Sequence, residues 1–270
     1  MKLKNILLGA ASAIAIFTTV ACQNIDPEDR LIPVEKKEVG RAVLIEDFTG
    51  QRCPNCPKGT EAIEAITAAY GSENVIAVGI HSGPLGFDGN SKNLGLTTAT
   101  GKEYYKHWDS QGKIGQPWAL INRVAEPNSN YNNWATYVET LISKPALLSI
   151  EINNAYDAAT RNVTIDVDAL GVNGTLNGKL QVWLIEDGIV AMQTQPDGKV
   201  DKEYVHNHVF RATVNDMWGD AVTINENEHT KKQYTYTLPE TWNAEKVSVV
   251  AFVYDDTEVQ QVAKKAVVAE

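Results

Sequence analysis

The stretch that decides the fold is Ala42-Val-Leu-Ile-Glu-Asp-Phe-Thr-Gly-Gln-Arg-Cys-Pro-Asn-Cys-Pro57. Its first seven residues, 42–48, are apolar and β-branched enough to predict a buried strand, which Gly50 ends. Apolar residues then recur at helical spacing up to Tyr70. The stretch therefore predicts a strand, a short loop, two cysteines and a helix, in that order.

The two cysteines, Cys53 and Cys56, fall where this helix is predicted to start. Unpaired backbone N–H groups and the helix dipole favour an anion at that position, in this case a thiolate. Arg52 adds a positive charge beside Cys53. Two cysteines three positions apart can close a small reversible disulfide ring, which is the chemistry of thiol–disulfide exchange.

Residues around the dithiol resemble the thioredoxin superfamily. Asp47 precedes Cys53 at the family spacing of six residues, and the later Ile-Gly-Gln-Pro117 run matches the segment that ends in a cis-proline facing the dithiol. The resemblance covers about residues 40–145. It implies that Cys53 attacks substrate, that Cys56 is the buried resolving thiol, that Asp47 takes or relays its proton, and that Pro117 presents backbone to a bound strand.

The sequence departs from that family at three positions. Thr49 and Arg52 stand where tryptophans are usual, and Pro57 stands where a lysine is common. These departures leave the substrate and the direction of electron flow open.

A second apolar strand is predicted over residues 74–81, parallel to the first and joined to it through the helix. His81 ends this strand, on the edge where α/β sheets usually bind ligands. It either faces the dithiol or is satisfied by loop backbone, and both interpretations stay open. Together with Arg52 and Gln116, it is a candidate substrate-site residue.

From Leu147 onwards the period of the apolar residues changes from helical spacing to alternation, which is typical of strands. Evenly spaced short strands predict an antiparallel β-sandwich, either Ig-like or jelly-roll-like. Pro145 ends a predicted helix just before this change. The predicted architecture is an α/β thioredoxin-like domain over 39–145 and an all-β domain over 146–270.

The N-terminus has the pattern of an export signal, predicted over residues 1–21. Lys2 and Lys4 precede a short apolar run that ends in small residues before Cys22. This end resembles the lipobox of bacterial lipoproteins, which implies that Cys22 carries lipid and that a polar tether, 22–38, follows it. The alternative is an ordinary cleaved signal with an incidental cysteine.

Charge and composition exclude some partners and favour others. The formal net charge is −10, and it becomes −12 when Lys2 and Lys4 leave with the signal. No basic stripe is present, so nucleic acid is not expected as a partner. Envelope or surface proteins are the expected partners, and no cofactor is expected.

His206 and His208 lie two apart on a predicted strand, a spacing that points both side chains to one face. A metal site there is geometrically feasible, but the sequence places no third ligand at a recognisable spacing. We therefore expect a polar, hydrogen-bonded strand face and no metal.

Several segments together resemble the 28-kDa outer membrane lipoprotein (Omp28-related) family of Gram-negative anaerobes. They are the lipobox, the Cys-Pro-x-Cys stretch, Ile80-His-Ser-Gly83, Leu184-Ile-Glu-Asp-Gly188, His206-Asn-His-Val-Phe-Arg211 and Val250-Ala-Phe-Val-Tyr-Asp255. The resemblance implies an outer membrane lipoprotein of the cell envelope, facing the periplasm or the surface, with adhesin or receptor roles suggested for relatives.

Two classes of function follow. In the first, the protein is a membrane-tethered thiol–disulfide oxidoreductase that uses Cys53 and Cys56. In the second, it is a non-enzymatic surface binding protein in which the disulfide is static and the thioredoxin-like half is a scaffold.

Overall fold

The structure, a computed structural model, describes residues 39–124 and 126–268. The predicted signal segment and the whole predicted tether, with Cys22, lie outside these residues. The strands are β1 Val43–Thr49, β2 Val75–His81, β3 Trp118–Ile121, β4 Leu148–Asp157, β5 Asn162–Gly171, β6 Leu176–Glu186, β7 Ile189–Thr194, β8 Val200–His206, β9 Val209–Thr213, β10 Asp220–Ile224, β11 His229–Thr237, β12 Val247–Tyr254 and β13 Val259–Ala266. The α-helices are α1 Cys56–Tyr70, α2 Ala99–Trp108 and α3 Trp134–Ile142.

One large mixed sheet organises the described residues. Its strand order is β13-β12-β6-β9-β2-β1-β3, and β10 pairs with β6 outside that path. β1 is parallel to β2 and antiparallel to β3. A second sheet, β11-β5-β4, and a separate hairpin of β7 and β8 complete the β structure. The β-rich fold predicted for residues 146–270 is confirmed, since strands β4 to β13 lie there.

Successive side chains along each strand point to opposite sides, so the large sheet has two different faces. One face carries an aromatic core, to which β1 contributes Leu44 and Phe48. Helix α2 covers this face with Tyr104 and Tyr105. Other large members of the core are Trp118, Trp183, Phe210 and Phe252.

The opposite face is covered by two different layers. Next to β1, helices α1 and α3 cover it through Ile63, Ile66 and Leu141. Next to β6 and β12, the three-stranded sheet covers it and forms a separate apolar core. Helix α1 ends at Tyr70, because Gly71 has a φ of +90°, a conformation that favours glycine.

The large sheet crosses the predicted boundary between residues 145 and 146. β9 lies between β6 and β2, and the aromatic core mixes side chains from before and after residue 145. The described residues belong to one compact unit. Independent folding of residues 39–145 stays a prediction, and separating that segment would expose the ring of Tyr104, which packs against Trp183 and Phe210.

Candidate functional site

Cys53 and Cys56 are joined by a disulfide, with their Cα atoms 5.4 Å apart. The chain leaves β1 at Thr49 and turns through Gly50 into α1. The helix begins at Cys56, so Cys53 precedes it and Cys56 is its first residue. Both cysteines are buried, with 0% and 1% of their surface exposed. The preference for Cys53 as the attacking thiolate stays a prediction.

Asp47 lies on β1, on the face that α1 covers. Its partner across the parallel ladder is Gly79, which has no side chain to fill the space beside the carboxyl group. Asp47 is buried, and its Oδ1 has no hydrogen-bond partner among the described residues. This burial raises the pKa of Asp47 to about 8. The carboxyl group can therefore exchange a proton close to neutral pH.

Pro117 lies against the first turns of α1. A Cβ atom at Gly59 would be 3.1 Å from Pro117 Cγ, so the close approach of the two elements depends on a glycine there. The Gln116–Pro117 peptide bond is cis, as the resemblance led us to expect. Pro117 thus packs on the same helix that begins with Cys56.

The side chain of Gln116 links the ends of the parallel strands β1 and β2 through hydrogen bonds. Its Nε2 donates to the carbonyl oxygens of Thr49, at 2.8 Å, and Ser82, at 3.0 Å. Its Oε1 accepts from the backbone N–H of Leu85 at 3.2 Å. Backbone groups therefore already take up the hydrogen bonds of the Gln116 amide. Gln116 is better placed to hold the backbone of the site together than to contact a substrate.

A hairpin formed by β7 and β8, residues 189–206, covers the disulfide. Gln193 Nε2 donates to the carbonyl oxygens of Cys53, at 2.9 Å, and Gly50, at 3.3 Å. The backbone N–H of Thr194 donates to the carbonyl oxygen of Gln51 at 2.9 Å. This covering hairpin explains why neither cysteine is exposed, and nothing in the sequence indicated it.

Arg52 differs from its neighbours because it is exposed. Its guanidinium carbon lies 4.7 Å from the centre of the Phe87 ring, and its backbone N–H donates to the carbonyl oxygen of Leu85. Of the three candidate substrate-site residues, Arg52 is the one whose side chain is open to solvent.

His81 faces the dithiol side of the sheet, and it meets a residue from the covering hairpin. Its Nε2 lies 3.3 Å from His206 Nδ1, and both rings are buried. Burial and the neighbouring His206 lower the pKa of His81 well below its usual value. Burial lowers the pKa of His206 to about 4. The sequence singled out both histidines but gave no sign that they meet.

Cys56, Asp47, His81 and His206 line one small cavity of about 20 Å³, room for about one water molecule. The cavity wall also includes Gln193, Tyr204, Val205, Asn207 and His208. Cys53 is absent from this lining. The cavity thus places the second cysteine of the disulfide, and not the first, beside the carboxyl group.

His206 and His208 do not share a regular strand face as the sequence predicted. Strand β8 ends at His206, and His208 has a φ of +45° and accepts the N–H of Gly79 at its carbonyl oxygen. Burial lowers the pKa of His208 to about 4. Within residues 39–124 and 126–268, no group of three or more His, Cys, Asp or Glu side chains is arranged to hold a metal ion.

The fold and the site define a predominantly β protein that carries a covered Cys-x-x-Cys disulfide beside a buried carboxyl group. The chain belongs to the Omp28 outer membrane protein family, whose model matches residues 101–270. This match confirms the predicted family and the predicted location in the outer membrane of the cell envelope. The matched residues include the covering hairpin but not the two cysteines.

Two solved structures from Porphyromonas gingivalis are similar to this chain. HBP35 has a TM-score of 0.63 at 15% identity, over 84% of this chain and 75% of its own, which shows a shared fold. A domain of the outer membrane lipoprotein Omp28 has a TM-score of 0.33 at 26% identity, over 44% of this chain and 94% of its own. No curated protein sequence matches this chain. Among the described helices, none has the length and apolar character needed to cross a membrane.

Proposed function

We propose that this protein is a thiol–disulfide oxidoreductase of the cell envelope that acts on envelope or surface proteins. The observation that carries the proposal is the cavity in which Cys56 and the buried carboxyl group of Asp47 meet. A carboxyl group whose pKa is raised to about 8 is partly ionised close to neutral pH, and its ionised form is basic enough to take the proton of a thiol. The cysteines are the redox group, so the reaction needs no added cofactor.

We also propose that residues 39–145 are thioredoxin-like. Three features support this assignment: the parallel β1 and β2 with α1 between them in sequence, the antiparallel β3 directly after Pro117, and the disulfide at the start of α1. The continuous sheet makes this segment part of a larger β-rich body.

In the proposed reaction, the Cys53 thiolate attacks one sulfur of a substrate disulfide, and the other substrate sulfur leaves as a thiolate and is protonated. Cys56 then gives its proton to Asp47, and its sulfur attacks Cys53 Sγ. The bond between Cys53 and the substrate breaks, and the substrate leaves as a second thiolate. The substrate is reduced by two electrons and the pair is oxidised to the disulfide seen here.

Single cysteine substitutions test this order of events. We expect Cys56→Ser to trap mixed disulfides with substrate proteins through Cys53, because no resolving thiol remains. Cys53→Ser should trap few or none, because Cys56 is the resolving thiol of the proposed reaction and lies beside Asp47. Non-reducing gel electrophoresis after acid quenching measures the trapped species. Equal inertness of both variants toward disulfides and toward alkylation would show that the disulfide is static.

A second function, a non-enzymatic binding protein, is favoured by one observation. Both cysteines are buried under the covering hairpin, as they would be in a disulfide that only stabilises the fold. This alternative is the outcome that equal inertness of the two cysteine variants would support. It would leave the ligand to be found on the β-rich part of the chain.

We further propose that Cys22 carries lipid and anchors the protein to the outer membrane. The lipobox-like end of the signal supports this, and two acyl chains are enough for stable anchoring, where one is marginal. Intact-mass measurement of the membrane fraction should show a diacylated N-terminal cysteine. Cys22→Ser should release the protein in soluble form, and an unmodified mass on wild-type protein would contradict the anchor.

A further inference from the structure

Three buried polar atoms without hydrogen-bond partners surround the cavity beside the disulfide. They are Asp47 Oδ1, His81 Nδ1 and His206 Nε2. Buried polar groups in proteins are nearly always hydrogen-bonded, and exceptions concentrate where chemistry takes place. Three such atoms from three strands around one cavity require a common explanation.

The two histidines form a continuous path for a proton. His81 Nε2 and His206 Nδ1 are 3.3 Å apart, so one ring donates to the other. The outer nitrogens, which take no part in this hydrogen bond, are His81 Nδ1 and His206 Nε2. Whichever ring donates, the outer nitrogen of one ring carries hydrogen and that of the other ring is free to accept. When one outer nitrogen accepts a proton, a proton passes between the rings and the other outer nitrogen releases one, so both tautomers reverse and both rings stay neutral.

The placement of the two rings connects the carboxyl group to the surface. Asp47 and His81 lie on the same face of neighbouring parallel strands, because Asp47 pairs with Gly79 and Thr49 pairs with His81. His206 belongs to the covering hairpin, where the cavity wall includes Val205, 51% exposed, and the exposed Asn207. Asp47 is at the inner end of the path, and the buried His206 is at its outer end, next to wall residues that are exposed.

We propose that His81 and His206 are a proton relay that carries the proton of Asp47 to solvent each time Cys56 resolves a mixed disulfide. The relay rests on the exchange function proposed above. Cys56 gives its proton to Asp47, Asp47 passes it to the outer nitrogen of His81 through a water molecule, for which the cavity has room, and His206 releases a proton toward the hairpin edge. Asp47 is then ionised again for the next turnover, and no electrons move in this part of the reaction.

Charged and titratable groups from several elements lie around the relay. His208, after β8, and Arg211, on β9, act on His81. Tyr204 on β8 packs beside His206, and Asp47 on β1 and Glu61 and Glu64 on α1 act on Tyr204. Burial together with Arg211 and the other histidines disfavours a positive charge on His81. A relay through two neutral rings avoids that charge.

The test follows the two chemical steps separately in protein that carries Cys22→Ser, so that Cys53 and Cys56 report alone. Reduced protein is mixed with Ellman's reagent in a stopped-flow instrument. Attack by Cys53 releases one thionitrobenzoate, and attack by Cys56 on the mixed disulfide releases the second. The first release reports access to the thiolate, and the second reports loss of the Cys56 proton.

We expect His81→Asn and His206→Asn each to slow the second release roughly tenfold at neutral pH and to leave the first unchanged. Asparagine keeps a hydrogen bond but cannot pass a proton between two atoms as imidazole does. The difference should shrink at alkaline pH, where hydroxide takes the proton. His229→Asn, at an exposed histidine on β11, is the matched control and should change neither release.

The outcomes separate the relay from the exchange function. Two releases in the wild type with an unchanged second release in both histidine variants would overturn the relay and keep the exchange. Equal slowing of both releases would show that the histidines are structural, which also overturns the relay. A wild-type protein that stops after one release does not resolve mixed disulfides, so the exchange function and the relay would both be wrong.

Discussion

Replacing Asp47 with asparagine should make the protein more stable, and the gain should grow as the pH rises. Asp47 is buried without a partner for Oδ1, and burial raises its pKa from 3.8 to about 8. Between these two pH values the unfolded chain has lost the proton and the folded chain keeps it. The free energy of unfolding of the wild type therefore falls with rising pH in this window, by about 1.4 kcal/mol per pH unit for one proton.

The asparagine variant lacks this titration, so its pH dependence should be flatter. Near pH 4 the two proteins should differ little, and above about pH 8 the variant should be more stable by several kcal/mol, with an upper bound on the order of 5 kcal/mol. Urea unfolding of the oxidised proteins across that range, followed by circular dichroism, measures the difference. Above the folded-state pKa the difference should become constant.

Asp256→Asn is the control for this prediction, because Asp256 is exposed and its removal should leave the slope unchanged. The Asp47→Asn variant should also resolve mixed disulfides more slowly, because asparagine cannot take the Cys56 proton. A parallel pH dependence in wild type and D47N would mean that Asp47 is ionised in the folded protein. With an ordinary pKa near 3.8, its carboxylate would be a much weaker base toward the Cys56 thiol, and the proposed reaction would then need a stronger proton acceptor.

The parts of the site that lie close together in sequence were predictable. An apolar strand followed by a glycine, two cysteines and a helical pattern gave β1, the disulfide loop and α1 with errors of one to a few residues. Such local patterns reflect strand burial and helix amphipathicity, which a short window contains in full. The pairing of Asp47 with Gly79 depends on the register between β1 and β2, and a short window of sequence does not contain that register.

The contacts that close the site come from residues more than a hundred positions away. His206 meets His81, and Gln193 reaches the carbonyl oxygen of Cys53, across 125 and 140 positions. The sequence predicted a separate β domain for these residues. Their alternating pattern indicates strands, but it does not indicate which strands lie beside them in a sheet. β9 pairs with both β6 and β2, and this pairing brings the covering hairpin over the disulfide.

Loosening the covering hairpin should make the disulfide much easier to reduce. Gln193 Nε2 donates to the carbonyl oxygens of Gly50, Cys53 and Thr194, at 3.3, 2.9 and 3.1 Å. A buried hydrogen bond contributes about 1 kcal/mol to stability, and an unsatisfied carbonyl costs at least as much. Gln193→Ala should therefore favour the open hairpin by roughly 1.4–2.8 kcal/mol, about a ten- to hundredfold increase in the open fraction.

Because a reductant must reach the sulfur atoms, the rate of disulfide reduction by dithiothreitol should rise by a similar factor in Gln193→Ala. Gln233→Ala removes the same residue type from an exposed position on β11 and should leave the rate unchanged. Circular dichroism and thermal unfolding separate local opening from general loss of structure. An unchanged rate in a folded Gln193→Ala protein would mean that reduction proceeds without hairpin opening. A raised rate would make the hairpin the element that a substrate protein has to displace before Cys53 can exchange.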